Sequence, residues 1–306
     1  MASTQQIKAR IKSVKSTKQI TKAMELVSAS KMRRAQEATL ASRDYTRTAR
    51  EILTRLRELT DVTKHPLFME REIKARILIV ITSDRGLAGA YNSNVLRQLT
   101  RELQSDQEKG IETQLILIGK QASRFAAKIE NVNVIGSYDH MPERPTINDL
   151  VPIIDTVKLA FAGKAEKGLN EEDDYVKLIT EPTVDAVDIL YTDYKSSVVQ
   201  EVAQTRLLPA AFTEVESVAE LDLAIFEPSP KVVLDSVAER FVDLQFWQAY
   251  LESQASEQSA RMMAMKTASD NAGELIDDLT LAMNTARQAA ITQELAEITG
   301  GAEAIK

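Results

Sequence analysis

The chain has 306 residues and a net charge of −7, with 44% hydrophobic residues but only 5% aromatic residues. That length allows one large domain or two ordinary ones, and the scarcity of aromatic residues favours extended helices over one compact globule. The absence of cysteine excludes disulfides, thiolate nucleophiles and cysteine-based metal sites. No apolar run is long enough to span a bilayer, so we expect any membrane association to come through partners.

The positive charge is concentrated at the N-terminal end. Residues 1–34 contain nine lysines and arginines and one acid, Glu25, a net charge of +8 that leaves −15 for the rest of the chain. A basic end of this kind fits a nucleic-acid arm, an organellar transit peptide, or a collar that faces an acidic protein surface. It has no interleaved aromatic residues, it is richer in lysine than in arginine, and it continues into a predicted coiled coil. These features favour the collar.

The N-terminal segment, residues 1–62, is predicted to form one long helix without Gly or Pro. Ser3 and Gln6 fit a capping box at its start, and the helix should end before His65, which precedes a proline. Apolar residues seven apart predict a coiled-coil seam in the second half, and an earlier apolar stripe drifts along the first half. The predicted seam consists of Ala38, Tyr45, Ile52 and Leu59 with Ala49 and Leu56, and the earlier stripe of Ile7, Ile11, Val14, Ile20, Met24 and Val27.

The middle segment, residues 70–210, alternates between strand and helix patterns. Its first strand is the β-branched run from Arg76 to Thr82, which is typical of a buried parallel strand. Further strands are predicted at 114–118, 133–135, 184–192 and 198–207, and helices to about 107, at 121–129 and at 147–161. This order predicts a Rossmann-like, doubly wound α/β domain. Residues 163–174, with four consecutive acids, are expected to form an exposed loop.

The C-terminal segment, residues 229–300, has the most regular pattern. Ser229 and Pro230 predict its start, Gly300 and Gly301 its end, and a 4-3 spacing of mostly apolar residues continues to Gln293. A helix of this extent is roughly 100 Å long, so it needs a partner of similar length, and the N-terminal helix is the only candidate in the chain. We therefore predict an antiparallel two-helix coiled coil that carries the α/β domain.

One glycine interrupts the long C-terminal pattern where its seam residues become small. Inside a helix, Gly costs about 1 kcal/mol relative to Ala. Gly273 therefore indicates either a tight crossing of the two helices or a position where glycine is merely tolerated.

Candidate chemical sites are weak throughout the sequence. The loop from Asp84 to Gly89 follows a strand, as phosphate-binding loops do, but it has neither the dinucleotide-binding nor the Walker A pattern, and Gly119 followed by lysine also lacks the rest of a P-loop. We interpret both as structural strand-to-helix turns. The two histidines, His65 and His140, lie far apart, and no catalytic set or metal-ligand spacing is present. The sequence therefore predicts a non-catalytic protein without a cofactor or metal.

Three stretches of the chain closely resemble the γ subunits of F-type ATP synthases. They are ITKAMELVSASKMRR at residues 20–34, TSDRGLAGAYN at 82–92, and ASEQSARMMAMKTASDN at 255–271, continuing to AITQELAEI at 290–298. The spacing Ile291-Thr292-x-Glu294-x-x-Glu297-x-x-x-Gly301-Ala302 reproduces that family's terminal signature. The resemblance covers the whole chain in order.

The resemblance implies a rotor shaft. In that family the coiled coil lies inside a ring of alternating α and β subunits, and the α/β domain sits on the membrane c-ring with the ε subunit. Rotation driven by proton or sodium flow forces the β subunits through successive nucleotide states. The implied partners are these α, β, ε and c-ring subunits, with no nucleic acid. The implied location is peripheral, on the cytoplasmic face of a bacterial membrane, which the missing presequence also favours.

The resemblance implies contact residues and no catalytic ones. Met24, with Lys22 and Lys31 nearby, matches the zone that faces an acidic segment of β. A second group, which matches a polar network that packs γ against a β-subunit loop, consists of Arg261, Gln288, Thr292 and Glu294. Any one of these residues alone also fits an ordinary exposed position, and it is the grouping that favours function.

Two features depart from the family pattern. Ala88 stands where the family has a Cys-like position, and the cysteine-bearing insert of plastid forms is absent, so thiol control is excluded. The acidic stretch at 163–174 resembles a small insertion of unassigned role. The residues alone also leave open a free-standing coiled-coil scaffold or a nucleic-acid-binding protein, and they do not specify the coupling ion.

Overall fold

The computed structural model describes residues 4–130, 132–167, 176–196, 199–211 and 225–304. The first and last elements of the described chain are two long helices, α1 (Thr4–Leu59) and α5 (Pro230–Ala304). The chain forms two compact units. One consists of Met1–Ser30 together with Arg261–Lys306, and the other of Lys31–Ala260. We call them the helix-end unit and the domain unit. Each contains part of both long helices, so compactness groups the chain differently from the three predicted segments.

The described residues of the domain unit form seven strands and three shorter helices. The strands are β1 (Ala75–Ile81), β2 (Glu112–Ile118), β3 (Asn133–Tyr138), β4 (Lys164–Lys167), β5 (Val176–Thr180), β6 (Ala186–Tyr194) and β7 (Gln200–Leu208). The helices are α2 (Tyr91–Lys109), α3 (Lys120–Ala126) and α4 (Val151–Ala162), and short 3-10 turns lie at Val62–Lys64, Pro66–Phe68 and Ile147–Leu150.

Five strands form one sheet in the order β3-β2-β1-β6-β7. The first four run parallel, with Ile79 of β1 level with Ile116 of β2 and Ile189 of β6, and β7 pairs antiparallel with β6. The long terminal helices and the central α/β domain confirm the predicted fold class.

Apolar side chains cover both faces of this sheet, as parallel strands require. On one face, Leu78 and Val80 of β1 belong to a core with α2 and α3. On the other face, Ile77 and Ile79 belong to a core with α4 and with the paired parts of α1 and α5 in this unit. We call the antiparallel pair of α1 and α5 the hairpin, and its fully buried members of that core are Leu53, Leu56, Ala238, Phe241, Val242, Phe246 and Tyr250. The hairpin is therefore one layer of the α/β domain.

Within the domain unit, the C-terminal half of α1 pairs with the N-terminal half of α5, so the two helices run antiparallel. Ser42 Oγ donates a hydrogen bond across the pair to Gln248 Oε1. The buried side of α1 consists of Thr39, Ser42, Thr46, Ala49, Leu53 and Leu56. The predicted seam was correct at Ala49 and Leu56, which are buried, and wrong at Tyr45 and Leu59, which are 70% and 48% exposed.

Hydroxyl side chains can occupy this seam because their hydrogen bonds are made to carbonyl groups of the same helix or, for Ser42, across the pair. Thr39 Oγ1 donates to Ala35 O at 2.8 Å, and Thr46 Oγ1 donates to Ser42 O at 3.2 Å. A search for apolar periodicity therefore passes over these positions and selects the exposed Tyr45 instead.

Within the helix-end unit, the N-terminal half of α1 pairs with the C-terminal half of α5. Lys18 lies against Gly273, with Nζ 2.8 Å from the position of a Cβ at that glycine. Thr4 comes fourteen residues before Lys18, so it is level with residue 287, fourteen residues after Gly273. Residues 287–300 are all exposed. The predicted seam therefore ends near this level and does not continue to Gln293.

Two predicted boundaries also differ from the structure. α5 passes through Gly300 to Ala304, because Gly300 does not adopt the left-handed conformation that ends helices. Part of the predicted loop at 163–174 is strand β4, which pairs antiparallel with β5. Its charged residues have no apolar alternation to indicate a strand. Residues 168–174 and the predicted capping residue Ser3 lie outside the described residues.

The Gly273→Ala variant is expected to be more stable than the wild type. Alanine gains up to about 1 kcal/mol of helix propensity, and the atom nearest to the new methyl group is the flexible end of Lys18, which can move aside. Urea unfolding followed by helical circular dichroism measures the change. Gly300→Ala, where nothing lies within 4 Å, is the control for propensity alone. A loss of stability at position 273 only would instead demonstrate a tight crossing.

Candidate functional site

The carboxyl ends of β1 and β6 form the edge at which doubly wound sheets bind ligands, because the strand order reverses there. In this chain the hairpin covers that edge. Tyr91, which begins α2 after β1, shares a hydrogen bond of 2.7 Å with the fully buried Ser253 of α5. Tyr191 of β6 donates to Glu252 of α5 at 3.2 Å. The position that takes a ligand in other proteins of this class is occupied here by the chain's own helix.

The glycine-containing loop after β1 is closed by its own hydrogen bonds. The backbone N–H of Ser83 donates to Asn92 Oδ1 at 3.0 Å. Asp84 Oδ1 accepts from the backbone N–H groups of Lys120 and His140, both at 3.1 Å. A carboxylate of the chain thus satisfies the N–H group at the start of α3 that a phosphate would otherwise use. These hydrogen bonds support the interpretation of this loop as a structural turn.

The second glycine, Gly119, is also structural. Its φ is +90°, and a Cβ there would lie 2.2 Å from the backbone oxygen of Thr82. Only glycine permits β2 to pass into α3 this close to the end of β1.

A partly buried carboxylate, Glu252, lies where the hairpin meets β6. Gln248 Nε2 donates to its Oε1 at 2.7 Å, and Tyr191 donates to its Oε2. Desolvation, reinforced by Asp193, raises the pKa of Glu252, although the two hydrogen bonds and Arg43 oppose that shift. Burial and the neighbouring Glu252 also raise the pKa of Tyr191, so its hydroxyl remains a donor.

The Glu252→Gln variant is expected to be more stable than the wild type near neutral pH. A carboxyl whose folded pKa is raised stabilises the fold below its ordinary value of 4.5 and loses that contribution as pH rises through the folded pKa. Glutamine avoids the cost of the buried charge and still accepts from Tyr191. Chemical unfolding at a series of pH values should show a difference that shrinks towards acid pH. Glu108→Gln, which makes the same change at an exposed position of α2, is the matched control. A difference independent of pH would contradict this assignment.

The basic end of α1 exposes part of its apolar stripe. Ile11 and the polar Ser28 are buried, whereas several other apolar side chains point to solvent among exposed lysines. The exposed apolar residues are Ile20 at 58%, Leu26 at 61% and Val27 at 54%. The predicted apolar stripe through Ile20 and Val27 is therefore an outward surface and not part of the seam. Exposed apolar side chains among lysines are typical of a protein-binding surface.

Two of the predicted contact residues lie on this outward stretch. Met24 is half-buried, and Lys22 is exposed and forms an ion pair of 3.0 Å with Glu25. The third, Lys31, belongs to the domain unit, where its Nζ lies 2.8 Å from Glu143 Oε1. That contact lowers the pKa of Glu143, with smaller contributions from Arg85 and Arg34. Lys31 is therefore engaged within the chain.

The other predicted residues lie on α5 in the helix-end unit. Arg261 is buried at 8% exposure, whereas Gln288, Thr292 and Glu294 are exposed. Thr292 Oγ1 donates to Gln288 O at 2.9 Å. Arg261 precedes Gln288 by 27 positions, which is roughly 40 Å of helix. Gln288, Thr292 and Glu294 therefore lie at one end of α5, and Arg261 lies elsewhere.

The exposed end of α5 also carries an apolar stripe. Ile291, Leu295 and Ile298 follow at helical spacing and are 50%, 58% and 68% exposed. We call residues 287–300 the tip. A helix end with such a stripe and with polar residues beside it has the character of a segment that binds in a partner's groove.

An ion cluster in the α/β domain was not foreseen from the sequence. Arg76, 5% exposed, donates to Asp106 at 2.7 Å, to Asp188 at 2.9 Å and to Glu102 at 3.0 Å. Arg206 of β7 also contacts Asp188. The sequence signal was one charged residue at the start of an apolar strand, but its partners lie 26 to 112 residues away.

The described residues offer neither a metal-ligand cluster nor a membrane-spanning helix. They contain no group of three or more histidine or acidic residues arranged to hold a metal ion. None of their helices combines the length and apolarity needed to cross a membrane.

The fold and its surfaces define a class of protein, a helical hairpin that carries an α/β domain whose ligand edge the hairpin itself covers. A family model described as ATP synthase matches residues 3–305. ATP synthase gamma chains from Legionella pneumophila (strain Corby) and Stenotrophomonas maltophilia (strain R551-3) are 38% and 40% identical to it, over all of both chains. The chain belongs to the ATP synthase γ-chain family.

A solved structure has the same fold. It is a chain in the cryo-EM structure of the Euglena gracilis mitochondrial ATP synthase (OSCP/F1/c-ring, rotational state 3). The likeness covers 99% of this chain and 94% of that chain, with a TM-score of 0.65 and 17% identity.

Proposed function

We propose that this chain is the central-stalk rotor of an ATP synthase, which couples ion-driven rotation of a c-ring to conformational change in catalytic β subunits. Membership of the γ-chain family supports this proposal. The single observation that carries it structurally is the covered ligand edge, because the α/β domain holds its own helices where an enzyme would hold a substrate. The chain itself is then a non-catalytic subunit.

The surfaces of the chain support a division of roles among its segments. Residues 1–62 and 229–300 form the shaft, and residues 70–210 form the foot that meets the c-ring and the ε subunit. The tip and the outward apolar stretch near Met24 are the surfaces that meet the α and β subunits. The contact residues of this proposal are Lys22, Met24, Lys31, Arg261, Gln288, Thr292 and Glu294. The protein is attached to the membrane only through the c-ring, on the cytoplasmic face of a bacterial cell.

Purification of the tagged chain from its native host tests this proposal. We expect it to recover nucleotide-binding α and β subunits with one copy of this chain per hexamer, and we expect the isolated chain to hydrolyse no ATP. A chain recovered as a self-associated scaffold, or bound to nucleic acid in a salt-sensitive manner, would contradict it.

A further inference from the structure

A layer of hydrogen bonds joins the hairpin to the end of β6 and the start of α2. From the α/β side, Tyr91 meets Ser253, Tyr191 meets Glu252, and Tyr194 accepts from Gln36 of α1. Within the hairpin, Gln248 links Ser42 of α1 to Glu252. We call these contacts the tyrosine layer. It connects α1, α5, β6 and α2 at one level of the domain unit.

The tyrosine layer differs in kind from the apolar core beside it. Apolar contacts resist separation of the hairpin from the sheet, but they are non-directional and distinguish weakly between small rotations. A hydrogen bond loses strength steeply when its angle changes. The hydroxyl groups therefore oppose turning of the hairpin against the sheet more effectively than the core does.

We infer that the tyrosine layer is a torque clamp, in which Tyr91, Tyr191 and Tyr194 fix the rotational position of the helical hairpin on the α/β domain. This inference rests on the proposed rotor function, since a rotor has to transmit twist from its foot to its shaft. Each tyrosine is a positioning residue that acts through the hairpin. The apolar core holds the hairpin against the sheet, and the clamp prevents the hairpin from rotating relative to the sheet.

The test measures angular stiffness in the assembled complex. The chain contains no cysteine, so Glu108→Cys at an exposed position of α2 gives a single attachment point for a bead. The hexamer of α and β subunits is fixed to a surface and arrested with a non-hydrolysable nucleotide. The angular variance of the bead then reports how tightly the α/β domain is held to the shaft. Replacing all three tyrosines with phenylalanine keeps the rings and removes the hydroxyls.

We expect the angular variance of the triple variant to rise about twofold, because three directional contacts are lost while the apolar core remains. Each single Tyr→Phe variant should give a smaller rise, and these variants keep the test informative should the triple variant fold poorly. Tyr45→Phe, which makes the same change at a 70% exposed position, should leave the variance unchanged.

Failure of the torque clamp and failure of the proposed rotor function give different results. A wild-type chain that assembles and turns under ATP, with tyrosine variants as stiff as the wild type, would overturn the clamp alone. A wild-type chain that never assembles with the hexamer would overturn the proposed function and the clamp with it.

Discussion

Replacing Arg76 with methionine is expected to destabilise the α/β domain by about 3–5 kcal/mol, the usual cost of removing one partner from a buried ion pair. The change leaves Asp106 and Asp188, which are 4% and 1% exposed, without their common cation. Arg206 still neutralises part of the charge of Asp188. Guanidinium unfolding of the full chain measures the loss.

Two further variants establish the cause of that loss. Arg97→Met makes the same change on the exposed side of α2 and should alter stability by no more than about 0.5 kcal/mol. Arg76→Met combined with Asp106→Asn should recover part of the stability, because one uncompensated charge is removed. A loss below about 1 kcal/mol for Arg76→Met alone would mean that the cluster is held no better than a surface ion pair.

Replacing Glu294 with alanine is expected to lower coupled ATP turnover about tenfold, the effect of losing one charge-assisted hydrogen bond of roughly 1.4 kcal/mol to a partner. Its side chain is exposed on the tip, so the unfolding free energy of the isolated chain should not change. Arg261→Ala should lower turnover as well, but it should also reduce stability, because Arg261 is buried in this chain.

The comparison of these two variants distinguishes a contact residue from a structural one. ATP synthesis and hydrolysis by the reconstituted complex are measured beside unfolding of each free variant. Asp278→Ala, an exposed acid on α5 before the tip, is the control and should leave both quantities unchanged. Wild-type turnover in Glu294→Ala would remove this residue from the proposed contact set.

The fold class was predictable because its signals are local. The β-branched run of β1 and the proline at the start of α5 each determine their elements within a few residues, and Ser229 Oγ accepts from the N–H of Val232 as a helix cap should. Each terminal helix is so long that it needs a partner of similar length, and the other terminal helix was the only candidate in the sequence.

The register of the hairpin was only partly predictable from apolar spacing, which selected the buried Ala49 and Leu56 but also the exposed Tyr45. The seam uses Ser42 and Thr46, whose hydroxyl groups are satisfied by backbone carbonyls or across the pair, while Ile20 and Val27 face outward. Apolar periodicity assigns such residues to the wrong side of a helix. An exposed apolar stripe on a helix with a polar seam is itself a sign of a partner. Only the structure shows which positions belong to the stripe and which to the seam.

The candidate contact residues were reached through resemblance and not through chemistry, because none of them carries a catalytic pattern. Their positions add a distinction that the sequence could not supply. Glu294 and Thr292 are available on the tip, whereas Arg261 is buried and Lys31 is already bound to Glu143. Burial and long-range pairing of this kind depend on residues more than a hundred positions apart.

The proposed rotor function requires that this chain turns inside a hexamer of α and β subunits that does the chemistry. Its most direct test attaches a bead through Glu108→Cys to the chain, fixes the hexamer of α and β subunits to a surface, and supplies ATP. We predict continuous rotation in one direction that stops when ATP is removed. A bead that only fluctuates about one angle while the hexamer continues to hydrolyse ATP would contradict the rotor function.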